Sequence, residues 1–431
     1  MITAKAFAGK HYAVYGLARS GLATVQALLA SGAKVTAWDD NPEARERLCS
    51  REGGSPGLCP GLCRDTEWDL GEFSSLVMSP GVPLNRHPLA ARAREANLEI
   101  IGDIELFARA RPELPAHKVV GITGTNGKST TTALVHHILG AAGVPSAMGG
   151  NIGLPILAQN PLPEGGVYVL ELSSYQLDLT QSLDCDVAVL LNVTPDHLDR
   201  YGSFEAYAAS KARLFEMQST DQIALVDWSA FMKRLVDPVC GFNGLVLPDW
   251  VDPGAWPALQ GPHNADNAAA AIETVAWLGL EPEDIVRGLA TYPGLPHRME
   301  RICEKKGVLF VNDSKATNAE AAAPALAAYP KVRWIVGGQA KSENLGDTDA
   351  QLGHVVKAYT IGEAGPMFAR LLRDHAVPVE ECETLENAVN RAAADSLPGD
   401  VVLLSPASAS FDQFKDFEAR GNRFRELVEG L

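Results

Sequence analysis

Apolar residues recur along this chain as short β-rich runs that end in glycine, proline or small polar residues, with helix-like stretches between them. The runs Tyr12 to Tyr15, Lys34 to Trp38, Leu76 to Met78, Val119-Val120, Val167 to Leu170, Val187 to Leu191, Val308 to Val311, Arg333 to Val336, Ala358 to Ile361 and Val401 to Leu404 read as strands. Leu22 to Ala30, stopped at Gly32, and Thr131 to Val135 read as helices. Strands alternating with helices predict an α/β protein on largely parallel sheets, whose ligands collect at the carboxyl ends of the strands. The polar residues that follow each apolar run are therefore the candidates for chemistry.

Three such patterns follow one another, over residues 1-110, 111-297 and 298-431. The first opens with strand, the turn Gly16 to Gly21, helix and a second strand ending in Asp39-Asp40. That is a Rossmann-like start with Ala18 where the middle glycine would stand, and it serves either to hold a nucleotide or only to pack a helix close to a sheet. Ser79-Pro80-Gly81 closes another strand there. The second pattern begins near Pro112 to Pro115 and the third near Arg298. In the third, the polar loops Asn312 to Lys315, Gly337 to Lys341 and Ser405 to Ser410 all follow strands, so they are expected to converge on one crevice.

The most specific chemistry lies at Gly121 to Thr130. A strand, a glycine-punctuated loop and Gly127-Lys128-Ser129 at a helix start make a phosphate-binding loop: backbone N–H groups, a helix N-terminus, a lysine charge and a hydroxyl for a metal. Glycines fall at 121 and 124, so the loop is a variant of the strict pattern, which wants glycine at Ile122. Glu171 terminates an apolar strand after this loop, where a carboxylate suits magnesium. His197, in Asn192 to His197, is read either as a ligand or as an exposed histidine of a polar turn.

The 431 residues, 46% hydrophobic and 21% charged, suit a soluble protein of two to four domains. A net charge of −16 argues against a nucleic-acid surface and favours small-molecule chemistry. The first residues lack a basic segment followed by an apolar one, and no apolar run approaches the roughly 20 residues of a spanning helix. A cytoplasmic protein without membrane contact is expected. Seven cysteines do not form a disulfide framework, and Cys59 and Cys63, in and beside the Gly/Pro-rich stretch from Gly53 to Gly61, read as loop residues rather than zinc ligands.

Taken in order, Gly124-Thr125-Asn126-Gly127-Lys128-Ser129, Glu171 to Leu177, Asn192 to Asp199, Gly294 to Arg298 and Asn312 to Asn318 resemble the Mur ligases along nearly the whole chain. Gly102 to Phe107, the Ser-Ser-Tyr-Gln after Glu171 and Ser410 to Phe414 look like the members that add D-glutamate. The resemblance implies three domains: an N-terminal Rossmann-like one for the UDP end of a precursor, a central ATPase-like one and a C-terminal Rossmann-like one for the amino acid. It implies ATP and Mg2+ as cofactors, UDP-N-acetylmuramoyl-L-alanine and D-glutamate as substrates, an acyl-phosphate intermediate and a monomer.

The resemblance also implies roles. Gly124, Thr125, Asn126, Gly127, Lys128, Ser129, Thr130, Asn264, Asn267, Arg298 and Asp313 are expected to bind ATP. Ser129, Glu171, His197 and Lys211, the last as a carbamate, are expected at the metal, with Lys128, Glu171, His197 and Lys211 catalytic. Arg19, Ser20, Asp39, Ser79, Gly81 and Asn151 are expected on the UDP precursor, and Lys315, Thr317, Lys341, Ser410 and Phe417 on D-glutamate. Read without the resemblance, Lys211 is a solvated helix lysine. The chain departs from the family pattern at Gln339-Ala340, where many relatives carry an acid, at Ser408, often a cysteine, and in a short stretch between Lys211 and His263. Another amide ligase, of Mur or folylpolyglutamate type, is the enzymatic alternative. A nucleotide-hydrolysing regulatory module would leave the lysines and hydroxyls of the third pattern without a purpose, and an NAD-dependent dehydrogenase would do the same for the phosphate loop.

Overall fold

The computed structural model describes all residues except 52–60, 63–67 and 227–241, so Cys59 and Cys63 lie outside the described residues. Three sheets carry the chain. The first runs Gly61–Leu62, Lys34–Trp38, His11–Tyr15, Ser75–Met78, Ile100–Ile101, all parallel. The second runs Phe242–Gly244, Ile223–Val226, Val187–Leu190, His117–Thr123, Gly166–Glu171, Ser146–Gly150, again all parallel. The third runs Glu300–Lys305, Val308–Asn312, Val401–Leu404, Val332–Gly337, Val355–Ile361, Val379–Glu383, parallel except for its antiparallel first edge.

Two compact units divide these sheets: Met1–Leu247 with Ala269–Gly288, and Pro248–Ala268 with Leu289–Leu431. The first two sheets share one unit because the helix Asp103–Ala110 buries Ile104, Leu106 and Phe107, with the Phe107 ring 5.0 Å from that of Tyr168 on the second sheet. An ionic weld runs through the same helix. The buried Glu105 carboxylate accepts from the N–H groups of Gln181 and Ser182 at 2.7 and 2.9 Å, from the Ser182 hydroxyl at 2.8 Å and from Arg109 Nε at 2.9 Å. Arg109 reaches on to Glu99. A carboxylate with this many donors is charge-assisted throughout and ties the first sheet's helix to the second sheet within one compact unit.

One expectation about elements needs correction, and several strands went unread. The first helix starts at Arg19, not Leu22, so Arg19, Ser20 and Gly21 belong to its first turn. Gly21 is required there, since a Cβ would lie 1.8 Å from the Gly16 carbonyl oxygen. The strands Ser146–Gly150, Val379–Glu383 and Glu300–Lys305 carry too little apolar alternation to read as strands in sequence; pairing with a neighbour makes them so.

Candidate functional site

Strand His117–Thr123 delivers the phosphate loop, and helix Lys128–Ala141 leaves it. Gly124 at φ +154° and Gly127 at φ +85° occupy conformations that a side chain disfavours, which is why glycine stands at both. The loop is pinned to the next strand end: Thr125 N–H donates to Asn192 O and Asn126 N–H to Asn192 Oδ1, each at 2.9 Å. Thr125 Oγ1 donates to Thr194 O, accepts from Thr194 N–H at 3.0 Å and lies 3.2 Å from the Tyr207 hydroxyl. Asn192, Thr194 and Tyr207 shape the loop without having stood out as site residues.

Two lysines converge on one carbonyl. Lys128 Nζ donates to Gly124 O at 2.8 Å and to Thr125 O at 2.7 Å, and Lys211 Nζ donates to the same Gly124 O at 2.8 Å. Lys211 comes from helix Phe204–Glu216, is 1% exposed and sits 4.7 Å from the centre of the Tyr207 ring. The reading of Lys211 as a solvated helix lysine is therefore wrong. Burial, then the nearby Lys128 charge, hold its pKa well below the ordinary lysine value.

Glu171 ends strand Gly166–Glu171, is 2% exposed and offers Oε1 to Asn151 Nδ2 at 2.9 Å. Its Oε2 is buried with no hydrogen-bond partner among the described residues. Gly150 lets Asn151 approach, because a Cβ there would be 2.1 Å from Glu171 O. His197 is half-exposed in the left-handed region at φ 53°, its ring 4.9 Å from that of Tyr175 and its Nε2 3.5 Å from Asp196 Oδ2. Burial, outweighing Asp196, lowers its pKa, so the imidazole is neutral at pH 7. Among the described residues no three His, Cys, Asp or Glu side chains form a metal cage.

At the first turn the expected precursor contacts are partly engaged in holding the turn itself. Asp39 Oδ2 accepts from Leu17 N–H at 2.6 Å, Ser79 Oγ donates to Gly16 O at 2.9 Å, and Arg19 Nη2 donates to Gly153 O at 2.6 Å. Gly81 is exposed. Behind the turn lies Asp103, read in the sequence only as part of the Gly102 to Phe107 stretch; burial pushes it up to about 6, and neither carboxylate oxygen has a hydrogen-bond partner among the described residues.

In the second unit the three polar loops do converge. Asp313 N–H donates to Leu404 O at 2.7 Å, Gly337 N–H to Pro406 O at 2.9 Å, and Gln339 and Ala409 exchange two main-chain bonds of 2.9 Å. Because that last bridge uses only backbone, Gln339 in place of an acid leaves the loop's pairing intact. Ser408 is fully buried and its hydroxyl has no partner among the described residues, an environment that would suit a thiol equally. Ser410 is buried, Thr317 is half-buried and Lys341 is exposed. Lys315 Nζ lies 3.9 Å from the centre of the Phe417 ring. Asp313 gives Oδ1 to Met299 N–H at 3.1 Å and Oδ2 to the Ser405 hydroxyl at 2.8 Å, and burial pushes it up to about 7. Asn264 and Asn267 are buried and bonded to each other at 3.2 Å.

Comparison with known proteins bears on all these loops. Residues 122–235 match the Mur ligase middle domain, and residues 297–408 match the glutamate ligase domain of Mur ligases. A UDP-N-acetylmuramoylalanine--D-glutamate ligase of Novosphingobium aromaticivorans is 58% identical across the whole chain and 97% of that protein. The enzyme of the same name from Sphingopyxis alaskensis is 58% identical with both chains covered in full. Among solved structures, the UDP-N-acetylmuramate-alanine ligase of Thermotoga maritima superposes with a TM-score of 0.59 at 17% identity, covering 98% of this chain and 99% of that one. E.coli FolC in complex with ADP does so with a TM-score of 0.55 at 22% identity, over 82% of this chain and 98% of that one. The three-sheet α/β architecture is thus the three-domain fold those ligases share, and the chain belongs to the Mur ligase family.

Proposed function

We propose that this chain is an ATP-dependent ligase that joins D-glutamate to the alanyl carboxylate of UDP-N-acetylmuramoyl-L-alanine. The observation that carries the chemistry is the pair Lys128 and Lys211 on the Gly124 carbonyl, close to where ATP's phosphates would lie on the loop. The substrates come from the names of the full-length relatives. A carboxylate is a poor electrophile. Transfer of the γ-phosphoryl of ATP to the alanyl carboxylate gives an acyl phosphate and ADP. The D-glutamate amine then attacks the acyl carbon, forming a tetrahedral intermediate that expels inorganic phosphate as the amide forms and the amine loses its proton.

Lys128 would neutralise charge on the transferring phosphoryl group, with the loop N–H groups on its oxygens. The donor set fits a divalent ion: an orphaned buried carboxylate oxygen on Glu171, the Ser129 hydroxyl and a neutral imidazole at His197. With so few carboxylates, phosphate oxygens and a carbamate on Lys211 would supply the remaining ligands. Mg2+, when bound, would screen the polyphosphate and polarise the transferring group. Lys211 suits carbamate formation because burial and the Lys128 charge lower its pKa and so favour the unprotonated amine that adds carbon dioxide.

The remaining assignments belong to the same reading: Thr130, Asn264, Asn267, Arg298 and Asp313 for the nucleotide, Arg19, Ser20, Asp39, Ser79, Gly81 and Asn151 for the precursor, and Lys315, Thr317, Lys341, Ser410 and Phe417 for D-glutamate. So do domain boundaries near 110 and 297, a monomer and a cytoplasmic setting; no helix among the described residues is long and apolar enough to cross a membrane. The test is phosphate release with UDP-N-acetylmuramoyl-L-alanine and ATP, comparing D-glutamate with L-glutamate, L-alanine, L-lysine and meso-diaminopimelate. Release that depends on D-glutamate alone is expected; release with another amino acid, or with none, overturns the reading.

A further inference from the structure

Helix Phe417–Glu429 carries a cation that the proposed chemistry does not yet use. Arg420 is 1% exposed and stands on the same helical stripe as the core residues Phe424 and Val428. Its guanidinium donates through Nε to Ser314 Oγ at 3.0 Å, through Nη2 to Ser314 O at 2.9 Å and to Ser408 O at 3.0 Å, and through Nη1 to Ala409 O at 3.3 Å. Every one of these acceptors is a neutral oxygen. The Ser314 hydroxyl in turn donates to Phe417 O at 2.9 Å, closing a circuit from the helix start through the guanidinium to both loops.

Among the described residues no carboxylate forms an ion pair with it, although the charges of Asp412 and Asp313 act on it from farther off. Burying a charge on neutral acceptors is costly, and an apolar residue of similar shape would pack a core more cheaply. What the guanidinium achieves that an apolar residue cannot is to fix two loops against each other. One is Asp313 to Lys315, which follows strand Val308–Asn312. The other is Ser408 to Ser410, which follows strand Val401–Leu404. Gly338 completes the arrangement from a third strand end: a Cβ there would lie 2.3 Å from Ala409 O and 3.1 Å from Arg420 Nη1, so the glycine clears the space in which the fork sits. The planar fork is needed, because one ammonium could not span four acceptors at fixed angles.

We propose that Arg420 is a positioning residue for the incoming amino acid: by bonding Ser314, Ser408 and Ala409 at once it holds Lys315 and Ser410 in the register that grips a dicarboxylate. The inference rests on the proposed ligase activity, so the wild-type chain is first shown to release phosphate in a D-glutamate-dependent manner. If it does not, the functional reading fails and the proposal, which rests on it, falls with it; if it does, the variants decide Arg420's role alone. The working comparison is Arg420→Lys and Arg420→Met against Val428→Ala, which lowers stability from the same helix while touching neither loop, and against Ser314→Ala, which removes one acceptor.

With positional control from the fork, both Arg420 variants raise the D-glutamate KM about tenfold or more while the ATP KM stays within about twofold, and Ser314→Ala gives a smaller rise in the same direction. Val428→Ala lowers Tm without moving the D-glutamate KM. Should an Arg420 variant fail to fold, Ser314→Ala decides alone. Equal changes in both KM values, or a D-glutamate KM that follows Tm across all variants, would show Arg420 to be a structural strut only and overturn the proposal.

Discussion

Lys211 in the central sheet's loop system and Arg420 in the C-terminal one are both 1% exposed, and both aim their nitrogens mainly at main-chain carbonyls. Their surroundings treat the charge differently. Lys211 has one carbonyl, already shared with Lys128, so burial and a like charge drive it toward the neutral amine. Arg420 has four neutral acceptors around a delocalised cation; burial, opposed by the charges of Asp412 and Asp313, brings it down only to about 10, which leaves it charged at pH 7. A buried lysine can thus become a reactive group, whereas a buried arginine becomes a fixture. On the proposed reading, this contrast would assign the chemistry to the central loops and the geometry to the C-terminal ones.

The largest expected effect tests the chemical half. Lys128→Ala should lose ligation by about a thousandfold or more, the usual scale for removing a cation from a transferring phosphoryl group. Precursor binding, measured by calorimetry, should stay near normal. Near-normal turnover would end the phosphate-loop assignment and with it the contrast.

Lys211→Ala should come next, nearly inactive but partly restored by acetate or another short carboxylate standing in for the proposed carbamate. Arginine variants in the other region should show no such rescue. Full activity of Lys211→Ala, together with intact-mass measurements that find only unmodified lysine in the wild type, would remove the reactive role.

Lys341→Ala and Ser410→Ala sharpen the geometric half. Each should raise the D-glutamate KM by about tenfold, since a charge-assisted bond to a carboxylate contributes roughly 1.5–3 kcal/mol, with ATP and precursor KM values little changed. Uniform changes across the three substrates would place these residues outside the amino-acid pocket.

The smallest effect concerns pH. Asp313 is pushed up from its ordinary 3.8 to about 7 in the folded chain, chiefly by burial. Between those values the folded state holds a proton that the unfolded state has released, so this group's contribution to stability is present below pH 4 and is lost as pH rises toward 7. Asp313→Asn should flatten that part of the curve. Denaturation midpoints of both proteins at pH 4.5 and pH 7 check it: the stability difference between variant and wild type should shift in the variant's favour at the higher pH, and an unchanged difference would remove Asp313 from the titration.

Much of this protein is local enough to be read along the chain. Apolar runs such as Val167 to Leu170 and Val187 to Leu190 mark central parallel strands because both their faces are buried, and the phosphate loop announces itself because its glycines, lysine and hydroxyl act within one turn. Tertiary structure decided what depends on distant partners. Lys211 reads as a surface lysine until a strand end 87 residues away supplies the Gly124 carbonyl, and Arg420 reads as a helix arginine until Ser314, 106 residues earlier, meets it. The arginine left one trace in the sequence, its place on the Phe424 and Val428 stripe. The weld from Glu105 to Ser182 left none, since a carboxylate at a helix start looks the same whether water or a neighbouring sheet supplies its donors. Periodicity reports which side of an element is buried; it carries no record of which remote atoms will be waiting there.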